Sequence, residues 1–343
     1  MQKKSMALAG AVALAGSLLA GCGSAGSAPA QGGQSSANAN AGHEITLTAI
    51  SAWPKTTEDN YGLFDLIKQV NALGKGVVQI KYLGGPEVIP TLQQINALKN
   101  GTVDIDWTAA NYTSSLVPAA NAVRLSTLTP EQESQQGITK LWDEIYKPIN
   151  VKFLMRGDGS PNIHFYLYTN KPIQSLSDFK GLQIRTTPAY QAFVSALGAA
   201  PVSIDPSEVY TSLQRHVVDG YGWPGYGIDT FGWDKYTKYM IQPGFYQVDS
   251  VGLMNLQKWN SLPKNVQQIF EQAEQKVEQD EQNYFTNLMQ NEQSRLQKEG
   301  VQVIQLQGDT AKQYVQLAYS SAWQAVLKAD PTMGATIKKA LGQ

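Results

Sequence analysis

The chain has 343 residues, with one Cys, three His, 27 Lys+Arg and 28 Asp+Glu, for a formal charge of −1. A single Cys excludes an internal disulfide and a cysteine-rich zinc site, and His43, His164 and His216 are too scattered for a histidine metal centre. The near-zero charge gives no general attraction to nucleic acid or an acidic membrane, and 16% charged with 42% hydrophobic residues is the composition of a folded globular body.

The N-terminus reads as an export signal. Lys3 and Lys4 precede an apolar, small-residue run over 6–20, too short to span a bilayer. The run ends in Leu19-Ala20-Gly21-Cys22, the lipobox spacing of bacterial lipoprotein precursors. Residues 1–21 are therefore expected to be removed and Cys22 to take a diacylglycerol. Losing Lys3 and Lys4 lowers the formal charge from −1 to −3. Behind Cys22, residues up to 42 then form an acylated tether of Gly, Ser, Ala, Gln, Asn and one Pro without charge, with a typical reach of about 25 Å.

From His43 onward the chain is of the length at which one core divides into two. In chain order the patterning predicts a strand over 45–50, an amphipathic helix over 61–73, a strand over 77–82, a helix over 89–99 and a strand over 103–107. A helix follows over 132–146, then strands over 151–156, 164–169 and 182–185. Helices are predicted over 189–197 and 207–215, and a strand over 248–255. This alternation points to α/β domains with largely parallel sheets. Residues 263–299 have no Gly and no internal Pro and carry apolar residues at helical spacing, closed by Gly300. A helix of that length spans about 50 Å; it either lies on one domain, breaks midway, or crosses two lobes.

Enzyme motifs do not emerge. Gly220-Tyr221-Gly222-Trp223-Pro224-Gly225 fits G-x-G-x-x-G, but Tyr and Trp crowd the turn and Pro224 stands where a phosphate-binding helix should begin. There is no Walker loop and no nucleophile elbow. Aromatic residues instead gather at predicted strand ends: Trp53, Trp107, Tyr112, Phe165, Tyr221 and Trp223. Ligands of open α/β sheets bind at the carboxyl ends of strands, so these residues suggest either core or cleft. Arg185 ends the apolar strand Leu182-Gln183-Ile184-Arg185. A cation there needs a partner, either an internal Asp or Glu or the carboxylate of a ligand held bidentately.

Several segments in order resemble the substrate-binding subunits of tripartite ATP-independent periplasmic (TRAP) transporters, the DctP family. They include Gly84-Gly85-Pro86-Glu87, Leu98-Lys99-Asn100-Gly101-Thr102-Val103-Asp104-Ile105 and Asn170-Lys171-Pro172-Ile173. Asp178-Phe179-Lys180-Gly181-Leu182-Gln183-Ile184-Arg185, Ala196-Leu197-Gly198-Ala199, Ser207-Glu208-Val209-Tyr210, Val217-Val218-Asp219-Gly220 and Trp259-Asn260-Ser261-Leu262-Pro263 continue the series, so the resemblance runs from about residue 45 to 300. It implies an α/β, two-lobed, periplasmic-binding-protein-like (type II) fold with hinge strands and a long C-terminal helix crossing both lobes. Lobe I would comprise 43–162 plus about 249–285, and lobe II 163–248 plus about 286–343.

The family's carboxylate-gripping arginine falls on Arg185. A second arginine of sialic-acid-binding members falls on Phe165, and an Asn of theirs on Trp223. The Trp223 region is similar to the 2-oxo-acid branch, but that branch's two metal-holding acids fall on Gly222 and Gln247, so no metal and no cofactor is expected. The resemblance thus implies a non-enzymatic, monomeric, lipid-anchored extracytoplasmic receptor for an organic monocarboxylate, aromatic or 2-oxo/2-hydroxy, handed to a TRAP permease, with no nucleic-acid partner. Arg185, Trp223, Phe165 and Tyr112 are the expected binding residues, with Trp53 or Trp107 from the other lobe and Gln247 as a hydrogen-bonding group. A dicarboxylate or sugar-acid receptor would need a second cation in the cleft, from Lys55, Arg124 or Arg156. A ligand sensor for a membrane signalling protein is the other alternative.

Overall fold

The computed structural model describes residues 44–158 and 163–343. The signal segment, Cys22 and the tether lie outside them. The first stretch contains β1 (Ile45–Ser51), α1 (Tyr61–Leu73), β2 (Val78–Gly84), α2 (Gln94–Lys99), β3 (Ile105–Thr108), α3 (Pro130–Gln135), α4 (Ile138–Tyr146) and β4 (Val151–Gly157). There follow β5 (His164–Thr169), β6 (Gln183–Thr186), α5 (Gln191–Ala196), β7 (Ala200–Ser203), α6 (Val209–Gln214), β8 (Gly220–Pro224) and β9 (Tyr239–Gln247). The chain ends with β10 (Ser250–Asn255), α7 (Leu256–Ser261), α8 (Lys264–Lys298), β11 (Gln302–Gln305), α9 (Gly308–Ala329) and α10 (Pro331–Ala340).

Two sheets form the two lobes of an α/β fold. The first has strand order β2-β1-β3-β10-β4, the second β11-β9-β5-β8-β6-β7. Neither is largely parallel. In the first, β1 runs parallel to β2 and β3, while β10 lies antiparallel to β3 and β4. In the second, β6 is parallel to β7 and β8, β11 is parallel to β9, and β5 is antiparallel to β8 and β9. The cause is connectivity. Helical crossovers within a lobe keep strands parallel, whereas β4 leads into β5, and β9 into β10, from one sheet to the other. β10 is buried at every position, as expected of a strand covered on both faces.

Local chemistry explains where the sequence reading and the helices part. The helix predicted over 132–146 is two helices. Thr129 caps α3 in a box, its hydroxyl accepting from the Gln132 amide at 3.2 Å while the Gln132 side chain accepts from the Thr129 amide at 3.0 Å. Gly137 then adopts φ +75°, a left-handed conformation that stops α3 and starts α4. β7, β8, β9 and β11 were not predicted; Pro201, Pro224, Pro243 and several glycines interrupt the first three.

With no Gly or Pro inside it, α8 runs unbroken for 35 residues, about 50 Å. It packs on α1 and β4 of the first lobe and reaches β11 of the second. Phe285 is fully buried at the crossing point, its ring 5.2 Å from Tyr226 of the second lobe and 6.5 Å from Tyr61 of the first. Arg295, further along, donates to Asp229 of the second lobe at 2.8 Å. The C-terminal helices do not stay with lobe II. α9 lies on α5 and β9 but also on the 3-10 segment Pro118–Leu125 of the first lobe, and α10 lies on that segment and α4.

Truncating Phe285 removes the apolar pin between the lobes. Phe285→Ala is expected to lower unfolding free energy by about 3–5 kcal/mol, read from denaturant midpoints. A loss below about 1 kcal/mol would show that the crossing of α8 does not depend on this ring.

Candidate functional site

Arg185 lies on β6, beside Val202 of β7 and Tyr221 of β8, and is 0% exposed. Its Nε donates to the Ile204 carbonyl at 2.9 Å. Nη1 donates to the Tyr190 hydroxyl at 2.8 Å and to the Gly222 carbonyl at 3.4 Å. Nη2 has no hydrogen-bond partner among the described residues. No Asp or Glu stands within ion-pair distance among them either, so the internal-pair alternative finds no partner. The Trp223 ring lies 5.6 Å from the guanidinium carbon.

Tyr190 orders this arrangement. It accepts from Arg185 and donates its own proton to the Gly222 carbonyl at 2.6 Å. Gly222 is what admits the ring, because a Cβ there would sit 2.5 Å from Tyr190 Cε2. Gly220 and Gly222 of the apparent G-x-G-x-x-G thus serve strand packing in β8, and Gly225 follows the strand.

Between the lobes Arg185 backs onto a small enclosed cavity of about 20 Å³. The first lobe lines it with Trp53, Asp59, Ala109, Asn111 and Tyr112. The second lobe supplies Phe165, Thr187, Tyr190, Trp223 and Pro224, and the β9–β10 connection adds Val248 and Asp249. Arg185 is not itself in the lining, but it is bonded to Tyr190, which is, and acts on Tyr112 of the first lobe. A groove between α3 and α8 is larger, about 840 Å³, but is walled mostly by solvent-exposed Gln and Glu.

Five residues of this lining carry buried polar atoms without partners among the described residues: Trp53 Nε1, Asp59 Oδ2, Asn111 Oδ1, Trp223 Nε1 and Asp249 Oδ1; Arg185 Nη2, on a residue bonded to Tyr190 of the lining, is unpartnered too. Buried polar groups are ordinarily satisfied, so such a concentration singles this cavity out as the candidate site. Burial, reinforced by the Glu58 charge, raises the Asp59 carboxyl to about 7. Burial also raises Asp249 to about 6, against the opposing charges of Arg124 and Arg156. The Tyr112 hydroxyl is pushed upward by burial, with Arg185 acting in the other direction.

Of the residues singled out from sequence, Trp53, Tyr112, Phe165 and Trp223 share this lining. Trp107 and Gln247 do not. Trp107 is 0% exposed and donates its indole N–H to the Asp59 carbonyl at 2.8 Å, inside the first lobe. Gln247 accepts from Arg156 at 2.7 Å, in a buried network with Glu133. The three candidate second cations also stay out of the lining. Lys55 borders a surface groove with Glu58 and Phe64, Arg124 donates to Asn121 at 2.9 Å, and Arg156 pairs with Glu133. Sequence reasoning missed Tyr190, Asp59, Asn111 and Asp249. Asp249 carried a signal, a charge between two apolar strands; Asp59 lay in a polar turn that looked solvated.

Residues 51–329 match the bacterial extracellular solute-binding protein family 7, DctP. The chain is 27% identical over 232 residues to a monocarboxylate 2-oxoacid-binding periplasmic protein of Nostoc sp., covering 65% of this chain and 63% of that protein, slightly under two thirds of its length. In fold it is similar to a TRAP periplasmic solute binding protein from Desulfovibrio salexigens with bound orotic acid, with TM-score 0.79, 22% identity, and 87% of this chain and 98% of that one covered. It is similar also to a TRAP transporter solute binding protein from Bordetella bronchiseptica with calcium and picolinate in its active site, with TM-score 0.77, 21% identity, and 88% and 91% covered.

The buried acids make stability depend on pH in a definite direction. Asp106, on β3, is 0% exposed with neither oxygen partnered among the described residues, and burial raises it to about 8. The folded protein therefore holds protons on Asp106 and Asp59 that the unfolded chain gives up near its ordinary 3.8. Where the folded state binds more protons, stability falls as pH rises, here from about 4 to about 8. The melting temperature of the ligand-free protein is expected to drop across that range, and Asp106→Asn to flatten the drop. Parallel melting curves for the two proteins would contradict this.

Proposed function

Because the chain belongs to the DctP family of bacterial extracellular solute-binding proteins, we propose that it captures a small organic monocarboxylate by closing two lobes on it and hands it to a TRAP permease. The observation that carries this reading is Arg185, a fully buried guanidinium with one nitrogen unpaired and no carboxylate beside it among the described residues. A ligand carboxylate is the natural occupant, taking charge-assisted hydrogen bonds from a donor already in place. The acids named for the Nostoc relative and the Desulfovibrio structure are in keeping with it.

Selectivity follows from the lining. Phe165, Tyr112, Trp53 and Trp223 favour a compact ligand with apolar or planar bulk. A second carboxylate would enter without a second cation in the lining, at a high desolvation cost. The residues come from both lobes, so a ligand touching all of them stabilises the closed state over the open one. The 20 Å³ left in this arrangement is about what one water needs, so the lobes must part for the ligand to enter. No nucleophile–base pair lies at the cavity among the described residues, and the protein acts as a receptor, as its family and fold indicate.

The setting is extracytoplasmic. No helix among the described residues is long and apolar enough to cross a membrane, and attachment falls to Cys22, acylated after cleavage behind Gly21. Cys22→Ser is expected to move the protein from the membrane to the soluble fraction of its bacterial host and to abolish labelling by radioactive palmitate. Retention and labelling of the variant would refute the anchor.

Binding is tested with Arg185→Ala. The variant should bind organic acids that raise the wild-type melting temperature at least about 100-fold more weakly, as for other desolvated charge pairs that lose one partner. Unchanged affinity by calorimetry would remove the carboxylate assignment.

A further inference from the structure

The unpaired groups around the cavity sort by lobe. From the second lobe come donors, Arg185 Nη2 and Trp223 Nε1. From the first lobe and the β9–β10 connection come acceptors, Asp59 Oδ2, Asn111 Oδ1 and Asp249 Oδ1, with Trp53 Nε1 as the exception. Asp59, Asn111 and Asp249 are each 2% exposed, so solvent does not satisfy them. A monocarboxylate with a hydrocarbon tail answers the donors and leaves the acceptors as they are.

Asp59 shows the mismatch most clearly. Its Oδ1 accepts from the Tyr226 hydroxyl at 3.3 Å, and no Lys or Arg pairs with it among the described residues. Ala110 donates a backbone amide to Asp249 Oδ2 at 3.1 Å, and burial raises the Asp249 carboxyl against the opposing fields of Arg124 and Arg156. Its Oδ1 is buried without a partner among the described residues, on a residue that lines the cavity. Trp53, Tyr112, Tyr190 and Trp223 share the lining with these residues, and aromatic faces attract desolvated cations.

Resting on the carboxylate reading above, we propose that the ligand is a zwitterion. Its carboxylate meets Arg185, and a protonated, N–H-bearing nitrogen at its other end is held by Asp59 and Asp249 with Asn111 beside them. The nitrogen supplies donors to acceptors that lack them, and a positive charge beside Asp59, which no Lys or Arg pairs with among the described residues. Two carboxylates and an amide oxygen are also oxygen donors of the kind a calcium ion takes, so added calcium is one arm of the test. No group of three or more His, Cys, Asp or Glu suited to a metal exists among the described residues. Each charge of the zwitterion falls to a different lobe, so the ligand ties the lobes together electrostatically.

The test uses matched pairs with the purified protein. α-, β- and γ-amino acids and cyclic imino acids such as proline and pipecolate are each titrated beside the same skeleton with CH₂ in place of nitrogen, as in cyclopentane- and cyclohexanecarboxylate. The expected result is that the nitrogen-bearing member of at least one pair binds about tenfold tighter or more. Asp59→Asn and Asp249→Asn should each shrink that preference, while Arg185→Ala weakens both members. Equal binding of both members in every pair, unaffected by Asp59→Asn, would overturn the zwitterion and leave the monocarboxylate reading standing. Binding that appears only with added calcium and vanishes with chelator would give the acceptors to a metal and overturn it too. Binding by neither series would remove both readings.

Discussion

A guanidinium sealed from water sets the conditions for everything around it. Burying a charge without compensation is costly, and Arg185 is 0% exposed. What holds it are neutral oxygens, the Ile204 and Gly222 carbonyls and the Tyr190 hydroxyl. They require β6, β7 and β8 in register, a glycine at 222 so that Tyr190 can lie against the strand, and Tyr190 itself at the entrance of α5. None of these oxygens carries a full negative charge, so the cation keeps most of its pull for an anion. A donor held this way is positioned in advance, so an anion that pairs with it would not have to spend free energy reorganising it.

The two lobes are joined in a way that leaves this site adjustable. The chain crosses between sheets at the β4–β5 and β9–β10 connections, and α8 runs along both lobes as a single rod. Polar contacts cross the seam at several points, Thr230 to Glu58 at 2.9 Å, Arg156 to Gln247 at 2.7 Å and Tyr226 to Asp59 at 3.3 Å, and beside α8 the rings of Phe285, Tyr226 and Tyr61 pack together. Packing near the rod fixes the relation of the lobes there. The cavity side is closed by aromatic faces and unpaired polar atoms, which hold less tightly without a ligand.

Much of this was legible from sequence, for identifiable reasons. The limits of α1 and β5, the unbroken length of α8 and the place of Arg185 all follow from periodicity, breakers and one charge in an apolar strand. Trp53, Tyr112, Phe165 and Trp223 were found because aromatics at strand ends are visible as such. Trp107 belongs to the same pattern and is core, since the direction in which a strand-end ring points depends on tertiary packing. Strands β7, β8 and β9 were hidden by Pro and Gly that serve close packing rather than turns. The antiparallel placement of β5 and β10 depends on which connections leave the lobe, which no local pattern records. Asp59 gave no signal in sequence because its burial is tertiary, with Trp107 of the first lobe and Tyr226 of the second both bonded to it.

The unpaired atoms at the cavity give closure its dependence on ligand. A closed state with orphaned donors and acceptors carries a penalty for each, of order 1–3 kcal/mol, which an open, hydrated cleft does not. That penalty tilts the empty protein toward opening. A ligand that satisfies the same atoms removes it and adds its own contacts, so ligand binding and closure are one equilibrium. Discrimination then rests on how completely a candidate answers the set. One that pairs with Arg185 and leaves the Asp59 side unanswered recovers part of the penalty and populates the closed state less. A permease that responds to the closed form would therefore be offered few imperfect ligands, even those with a well-fitting carboxylate.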